Sequence, residues 1–370
     1  MARPKKESNG TEEAKVSRSG AENAVIADLV KQYGNIFYSG ERVIEHTGRL
    51  IPVTLSLDIA LSGGILEGTI TSFATLPKVG KTTAMLEFVR NAQRFYKKPC
   101  FYFDIEGRLQ HSLLSTINGL IYTEEGEKNS GIPALKIIKS EQGNILTAEK
   151  FLQIANRLIT DIPGCVIIVD SIAALCTEDN FTKDLTESAK MADLQKLMYH
   201  FFRKINQILP ITKSTIVCIT HLQANPGSYT GVPKTYGGAA MDYFASNRIV
   251  SFSGGKEVPE TGTPKIGKNT TMKITASAVG GPSTEATLYI RYGRGCDHIA
   301  DLLDNADRYG FVERTGAWYN LTTSTGEKIK LQGKDAVEEY LVANPAEFVY
   351  LTNNIRKALI PNAILLPSTP

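Results

Sequence analysis

Between Gly68 and Ser253, short apolar runs alternate with segments of helical spacing, and this alternation restricts the possible folds more than any other feature. Chains of alternating strands and helices build a parallel sheet covered by helices, with right-handed crossovers. Two further runs, 270–276 and 284–292, have no helix between them, so we expect them to extend the sheet antiparallel. The predicted strands are 69–74, 100–104, 135–138, 165–170, 215–220 and 248–252, and the predicted helices are 81–93, 108–118, 147–159 and 188–209.

Changes in composition along the chain predict its domains. The first residues are rich in Lys, Glu, Ser and Gly and offer little to bury, which is typical of a disordered tail. A helix follows, in which apolar residues from Val25 to Val30 recur at helical spacing and Gly34 stands where the helix would stop. The predicted parts are a disordered tail over 1–21, a helix and linker over 22–50, an α/β core with a mostly parallel twisted sheet over 51–295, a small α+β domain over 296–360 and a tail over 361–370.

Overall charge and hydrophobicity exclude several classes of protein. Lys and Arg number 41 against 38 Asp and Glu, a net charge of +3 that is too small for indiscriminate nucleic-acid binding. No apolar run approaches the roughly 18 residues of a membrane span, and the first residues lack the apolar segment of a secretory signal. We therefore expect a cytoplasmic protein without a membrane partner. The 5 cysteines are an odd number, widely spaced, so we expect free thiols.

A phosphate-binding loop is predicted where the first strand of the core ends. The sequence TLPKVGKTT leads directly into a helix and satisfies the P-loop pattern, except that Thr75 occupies the first glycine position. Backbone N–H groups and the positive end of the helix then converge on one point. Lys81 would neutralise the β- and γ-phosphates of a nucleotide, and Thr82 would hold Mg²⁺. The predicted nucleotide-binding residues are Thr75, Leu76, Pro77, Lys78, Val79, Gly80, Lys81, Thr82 and Thr83.

Polar residues also stand at the ends of three other predicted strands. In open parallel sheets, ligands bind beyond the carboxyl ends of the strands. Asp170 ends the apolar strand CVIIVD and is predicted to join Thr82 as a metal ligand. Glu106 is either a base that orients a water molecule or an acid favoured by a helix N-terminus. His221 is either part of the same crevice or an ordinary loop histidine. A hydrolase triad with Ser171 is disfavoured, because no G-x-S-x-G surrounds the serine.

The chain resembles the RecA recombinase family from about Ala24 to Ala358. The matching stretches are VKQYGN, SLDIALSGGILEG, VGKTT, CFYFDIEG, CVIIVDSIAAL, YGGAAMDYFASNRI, IRYGRGCD and GAWYN. The resemblance implies a RecA-like fold, an N-terminal helix that docks on the next protomer, ATP and Mg²⁺ as ligands, and strand exchange in helical filaments on single-stranded DNA. It assigns catalytic roles to Lys81, Glu106 and His221, the last at a position where bacterial members usually place a γ-phosphate-sensing glutamine.

Two segments resemble the DNA-binding loops of that family, near 176–191 and 222–238. Glycines in the second loop let the backbone approach phosphate, and a tyrosine can stack on bases. Without the resemblance, a mobile surface loop that binds no ligand is the favoured interpretation of this segment, and the resemblance reverses that preference. The predicted DNA-binding residues are Gln223, Tyr229, Lys234, Tyr236, Gly237 and Gly238.

The sequence also departs from the family pattern. Ala276 and Ala278 stand where the family places two lysines that reach a neighbour's ATP, so we expect slow hydrolysis unless Lys268, Lys273 or Arg291 substitutes. Leu113 and Gln110 replace an adenine-stacking tyrosine and an aspartate, which puts base recognition in doubt. His221 and the lack of an acidic tail resemble UvsX-like bacteriophage recombinases, and imply the cytoplasm of a bacterium or an infected host cell.

The sequence also bears on duplex DNA, partner proteins and alternative functions. A basic segment of the second domain, GEKIKLQGK, is either a duplex-DNA contact through Lys328, Lys330 and Lys334 or a solvated turn. The resemblance further implies single-strand-binding and loader proteins as partners. Two alternatives stay open: a nucleotide-gated filament that coats DNA with little hydrolysis, and a ring helicase motor built on the same fold.

Overall fold

The structure, a computed structural model of the chain, describes residues 10–37, 48–184, 191–223, 234–235, 239–259, 264–280 and 284–367. Side chains are described for these residues except 10–21, 191–192, 223, 234–235 and 239. The chain divides into two units, Met1–Thr47 and Gly48–Pro370, which we describe one at a time.

The first unit contains helix α1, Gly10–Tyr33. The helix begins at Gly10, earlier than the predicted helix, and so includes residues 10–21, for which we expected a disordered tail. Glu, Ala, Lys and Arg, which are frequent in this segment, are good helix formers even without an apolar face to bury. The helix ends where predicted, since Gly34 has φ 81° and its N–H donates to the carbonyl of Val30. Val25, on the apolar stripe, is 59% exposed.

The second unit is built on a large sheet with 11 strands among the described residues. The strands of the second unit are β1 Leu50–Ile51, β2 Ile65–Leu66, β3 Ile70–Thr75, β4 Cys100–Asp104, β5 Lys136–Ile138, β6 Val166–Asp170, β7 Thr215–Gln223, β8 Lys234–Thr235, β9 Asn247–Ser251, β10 Lys256–Val258, β11 Gly267–Ala276, β12 Thr284–Arg291, β13 Gly295–Cys296, β14 Glu313–Thr315, β15 Trp318–Thr322 and β16 Lys328–Gln332. The main path of the large sheet runs β13-β12-β11-β9-β3-β7-β6-β4-β5.

Strand direction follows the predicted pattern. The six strands from β9 to β5 along this path pair in parallel, whereas β11, β12 and β13 continue beyond β9 in antiparallel fashion. The fold class, a mostly parallel α/β sheet with an antiparallel extension, is therefore confirmed.

The helices of the second unit are α2 Leu55–Ala60, α3 Lys81–Tyr96, α4 His111–Leu114, α5 Glu124–Ser130, α6 Ala148–Asp161, α7 Glu178–Thr182, α8 Met191–Thr212, α9 Ala239–Phe244, α10 His298–Arg308, α11 Lys334–Ala343 and α12 Pro345–Leu359.

Both faces of the sheet are buried, as an open parallel sheet requires. Helix α3 covers one face, where its Met85 and Phe88 join an apolar cluster with strand residues such as Ile168. Helices α6 and α8 cover the other face, in a second cluster that includes Phe151 and Phe202. Because β3, β7, β6 and β4 pair in parallel within this buried sheet, their C-terminal ends lie at one edge.

The segment after β4 differs from its prediction. We expected a helix over 108–118, but only α4 is helical there. The Asp104 carboxylate accepts hydrogen bonds from the backbone N–H groups of Arg108 and Leu109, each at 3.0 Å, and Gly107 has φ 65°. These contacts hold the chain in a turn, because an aspartate that bonds nearby N–H groups competes with the helix.

The C-terminal part of the second unit packs a small antiparallel sheet, β14-β15-β16, against α10, α11 and α12. Its apolar core includes Leu302 and Ile355 and also contacts Leu55 of α2. A buried ion pair of 2.7 Å joins Arg356 of α12 to Asp58 of α2. In the part of the chain that the structure describes, no helix combines the length and the apolar character needed to cross a membrane.

Candidate nucleotide-binding site

The loop after β3 carries the P-loop sequence. Thr75, which stands in the first glycine position, is the last residue of β3 and lies beside His221 of β7 and Ser251 of β9. Its φ is not positive, so a threonine fits there without backbone strain. The loop turns instead at Lys78, with φ 59°, and at Gly80, with φ 90°. The backbone therefore does not require a glycine at position 75.

Gly80 precedes helix α3 and cannot be replaced without movement. A Cβ atom built on it would lie 2.6 Å from Cγ1 of Ile290, and its φ is in the left-handed region. Its carbonyl accepts the first hydrogen bond of the helix, from Ala84. The unpaired N–H groups of the first turn of α3 therefore lie beside the loop, which creates a site for an anion.

Lys81 is the first residue of α3 and is only 7% exposed. Its Nζ donates to the carbonyl of Leu76 at 3.2 Å and lies 3.2 Å from Nδ1 of His221. An ammonium group has no acceptor, so Nδ1 is the acceptor in this contact and His221 carries its proton on Nε2. Burial lowers the pKa of Lys81, and the carboxylates of Asp170 and Glu106 oppose that shift.

Asp170 ends β6, next to the first turn of α3. Its Oδ2 accepts hydrogen bonds from Thr82 Oγ1 at 2.8 Å and from the hydroxyl of Tyr102 at 2.5 Å. Burial raises the pKa of Asp170, and the hydrogen bonds from Tyr102 and Thr82 oppose the shift. The sequence predicted the pair of Thr82 and Asp170 but gave no signal for Tyr102, since a tyrosine in a buried strand reads as core.

Glu106 follows β4 and is held at both carboxylate oxygens. Its Oε1 accepts from Ser171 Oγ at 2.5 Å and lies 3.2 Å from His221 Nε2, while Oε2 pairs with Arg108 at 2.9 Å. Burial raises the pKa of Glu106, but the hydrogen bonds from Ser171 and His221, with the charge of Arg108, lower it below its ordinary value. Ser171 thus contacts Glu106 rather than His221, which is not the arrangement of a hydrolase triad.

The strand ends therefore bring together Lys81, Glu106, Asp170 and His221. Their hydrogen bonds form two sets: Lys81 with His221 and His221 with Glu106, and Asp170 with Thr82. The sequence does not predict this role for Ser171, nor the contact of Arg108, which follows Glu106 by two residues.

The oxygen atoms of this site suit Mg²⁺. A hydroxyl and a carboxylate are hard oxygen ligands, and Oδ1 of Asp170 accepts no hydrogen bond from the described residues. Those residues include no cluster of three or more His, Cys, Asp or Glu that could enclose a metal. Mg²⁺ usually binds to one or two protein ligands together with phosphate oxygens and water, so Thr82 and Asp170 fit it.

Most of the predicted DNA-binding residues lie outside the description. Gln223 ends β7 and Lys234 begins β8, and their backbones pair in antiparallel fashion, but their side chains are not described. Tyr229, Tyr236, Gly237 and Gly238 lie outside the described residues.

The three candidate lysines of the C-terminal part do not form one cluster. Lys328 and Lys330 alternate on β16, so both lie on the face of the small sheet that carries Trp318, and Lys330 Nζ lies 4.8 Å from the centre of the Trp318 ring. The opposite face contributes Leu321 to the core. Lys334 begins α11 and pairs with Glu338 at 3.5 Å.

The sheet order, with parallel strands at the centre, an antiparallel extension and a small C-terminal domain, defines an α/β protein with a RecA-like core. The chain belongs to the RecA family. The model of the RecA N-terminal domain matches residues 21–297, and that of the RecA C-terminal domain matches 300–360. A similar protein is Protein RecA of Streptomyces rimosus, which is 30% identical over 351 residues, covering 94% of this chain and 86% of the relative.

Proposed function

We propose that this protein is an ATP-dependent recombinase that forms helical filaments on single-stranded DNA and catalyses homologous pairing and strand exchange. The observation that carries the proposal is the convergence of Lys81, Asp170, Glu106 and His221 at one sheet edge, in a chain of the RecA family.

Nucleotide binding follows from the loop and the start of α3. Lys81 is nearly buried, so its charge is worth more to a phosphate group than that of a solvated lysine. On binding, its Nζ would exchange the Leu76 carbonyl for phosphate oxygens, while the first-turn N–H groups of α3 bind the same anion. Thr82 and Asp170 would hold Mg²⁺, which neutralises charge on the phosphates when bound.

Hydrolysis would use Glu106 as the group that orients the attacking water. Its lowered pKa keeps the carboxylate ionised, so it can accept a hydrogen bond from water at neutral pH. Three donors fix its position, those of Ser171, His221 and Arg108. The reaction is an in-line attack on the γ-phosphate with ADP and phosphate as products.

We expect this hydrolysis to be slow. Of the cations that would replace the lysines absent at Ala276 and Ala278, Lys268 already pairs with Glu257 at 3.1 Å and Arg291 with Asp297 at 2.7 Å. Lys273 is exposed on β11 and is the best remaining candidate. Cations supplied across an interface accelerate phosphoryl transfer by orders of magnitude. The rate of ATP hydrolysis would therefore depend on how well Lys273 supplies such a cation.

Strand β7 would connect nucleotide binding to DNA binding. His221 contacts Lys81 at one ring nitrogen and Glu106 at the other, and the strand continues from it to Gln223, at the start of the predicted DNA-binding segment. A nucleotide that draws Lys81 away from His221 changes the contacts of this strand end. Such a rearrangement gives the two sites a physical connection.

Self-association and duplex binding would use surfaces away from the nucleotide. Val25, on the apolar stripe of α1, is 59% exposed, and a second copy of the chain would cover it. Lys328 and Lys330, on the same sheet face as Trp318, offer two cations and an aromatic ring to a duplex. Neutralising both lysines should weaken duplex capture and flatten its salt dependence.

The bacteriophage subtype is a finer part of the same proposal. It rests on His221, which stands in place of the usual glutamine. It would place the protein in the cytoplasm of a bacterium or of an infected host, where single-strand-binding and loader proteins are the expected partners.

Electron microscopy tests the proposal. With a nonhydrolysable ATP analogue and a single-stranded oligonucleotide, we expect helical filaments, and with the oligonucleotide alone we expect few or none. Closed rings would favour a helicase motor instead. Filaments that show no DNA-stimulated ATP turnover would favour a DNA-coating protein without useful hydrolysis.

A further inference from the structure

Tyr102 lies beneath the nucleotide-binding site and is not among the residues predicted for that site. It is the central residue of β4, pairs with Ile168 of β6 and is fully buried. Its ring belongs to the apolar cluster that includes Val79 of the loop and Met85 of α3. The hydroxyl group is the part of this side chain that packing alone does not explain.

That hydroxyl donates to Asp170 Oδ2 at 2.5 Å. Thr82 Oγ1 donates to the same oxygen at 2.8 Å. Among the described residues no donor reaches Oδ1, so the two carboxylate oxygens have different roles. Oδ2 is held within the protein and Oδ1 is left for other ligands.

The direction of this hydrogen bond follows from the two groups. A phenol is protonated at neutral pH, since its ordinary pKa is about 10. An ionised carboxylate can only accept hydrogen bonds, so the proton points from Tyr102 to Asp170.

We propose that Tyr102 is a positioning residue that fixes the carboxylate of Asp170 for metal binding. The inference rests on the proposed function, in which Thr82 and Asp170 hold Mg²⁺. Thr82 would itself bind the metal, which leaves Tyr102 as the described donor that anchors Asp170 without being a ligand. Partners of this kind keep a metal ligand oriented, and their loss typically costs about 10- to 100-fold in metal affinity.

The test is the Mg²⁺ dependence of nucleotide binding, measured at equilibrium with a fluorescent ATP analogue that is not hydrolysed. Tyr102→Phe removes only the hydroxyl. We expect its half-saturating Mg²⁺ concentration to rise about tenfold or more, with nucleotide binding in EDTA unchanged. Tyr96→Phe is the matched control, because it removes a tyrosine hydroxyl bonded to a backbone carbonyl, that of Leu50 at 2.9 Å, at the other end of α3. It should leave the Mg²⁺ dependence unchanged.

Asp170→Asn separates failure of this inference from failure of the proposed function. If Asp170→Asn raises the half-saturating Mg²⁺ concentration and Tyr102→Phe does not, Tyr102 has no positioning role and the proposed site stands. If Asp170→Asn changes nothing, the metal site is wrong and the inference falls with it. If Tyr102→Phe lowers binding equally in EDTA and in Mg²⁺, with a lower unfolding temperature, its role is structural only and the inference is also wrong.

Discussion

Nζ of Lys81 lies 3.2 Å from Nδ1 of His221, so the loop lysine and the end of β7 are in direct contact. The other ring nitrogen, Nε2, lies 3.2 Å from Glu106. A nucleotide phosphate would compete with His221 for Lys81, and this competition would link the nucleotide to the strand that leads to the predicted DNA-binding segment.

His221→Ala should therefore uncouple the two ligands. We expect an ATP analogue to raise the affinity of the unaltered protein for single-stranded DNA at least about fivefold, and to have little effect in the variant. Fluorescence anisotropy of a labelled oligonucleotide, with and without the analogue, measures this ratio. His221→Gln is the matched variant, because an amide can accept from Lys81 and donate to Glu106, and it should keep most of the coupling. An undiminished ratio in His221→Ala would show that the contact carries no coupling.

Gly80→Ala should damage the loop. A Cβ atom there would lie 2.6 Å from Ile290 at a φ of 90°, and left-handed backbone at a non-glycine residue costs about 1–3 kcal/mol before any clash is counted. We expect a lower unfolding temperature and weaker nucleotide binding, by calorimetry and by fluorescence titration. Gly131→Ala, at φ 62° with no atom within 4 Å of the new Cβ, carries the backbone strain without the clash. Equal effects of the two substitutions on nucleotide binding would refute the steric argument.

Arg356→Met should loosen the C-terminal part of the second unit. The guanidinium is almost completely buried and pairs with the Asp58 carboxylate at 2.7 Å, so its removal leaves a buried charge without its partner. Breaking a pair of this kind costs about 3–5 kcal/mol. Chemical denaturation at pH 7.5 measures the loss, and Lys357→Met, at the exposed neighbouring position, should cost almost nothing. A loss below about 1 kcal/mol for Arg356→Met would contradict the prediction.

The pH dependence of stability should include a contribution from Asp301. Burial raises the pKa of this carboxyl group to about 6, against hydrogen bonds from Ser56. The folded state then binds more protons than the unfolded chain between about pH 4 and 6, so this contribution to the free energy of unfolding is present at low pH and is lost as the pH rises through 6. Asp301→Asn should make the fall in unfolding temperature between pH 5 and 7.5 shallower. Asp304→Asn, exposed on the same helix, should not, and identical slopes in all three proteins would show that Asp301 does not contribute.

The sequence predicts the central sheet because its apolar runs are long enough to be buried on both faces. It also predicts that Lys81, Glu106, Asp170 and His221 lie together, since parallel strands carry their C-terminal ends to one edge. It does not predict Tyr102 or Ser171 as site residues, because a tyrosine in a core strand and a serine after an aspartate have no distinctive spacing. The expected helix over 108–118 is mostly absent, because Asp104 bonds to the backbone N–H groups that would begin it.

The most direct test of the nucleotide site is the equilibrium affinity of Lys81→Ala for an ATP analogue in the presence of Mg²⁺. We expect the affinity to fall at least about a hundredfold, because a nearly buried cation at the phosphate position is lost, and filaments on single-stranded DNA to disappear with it. Lys128→Ala, which removes an exposed lysine from α5, should leave both measurements unchanged. Undiminished affinity and normal filaments in Lys81→Ala would contradict the account.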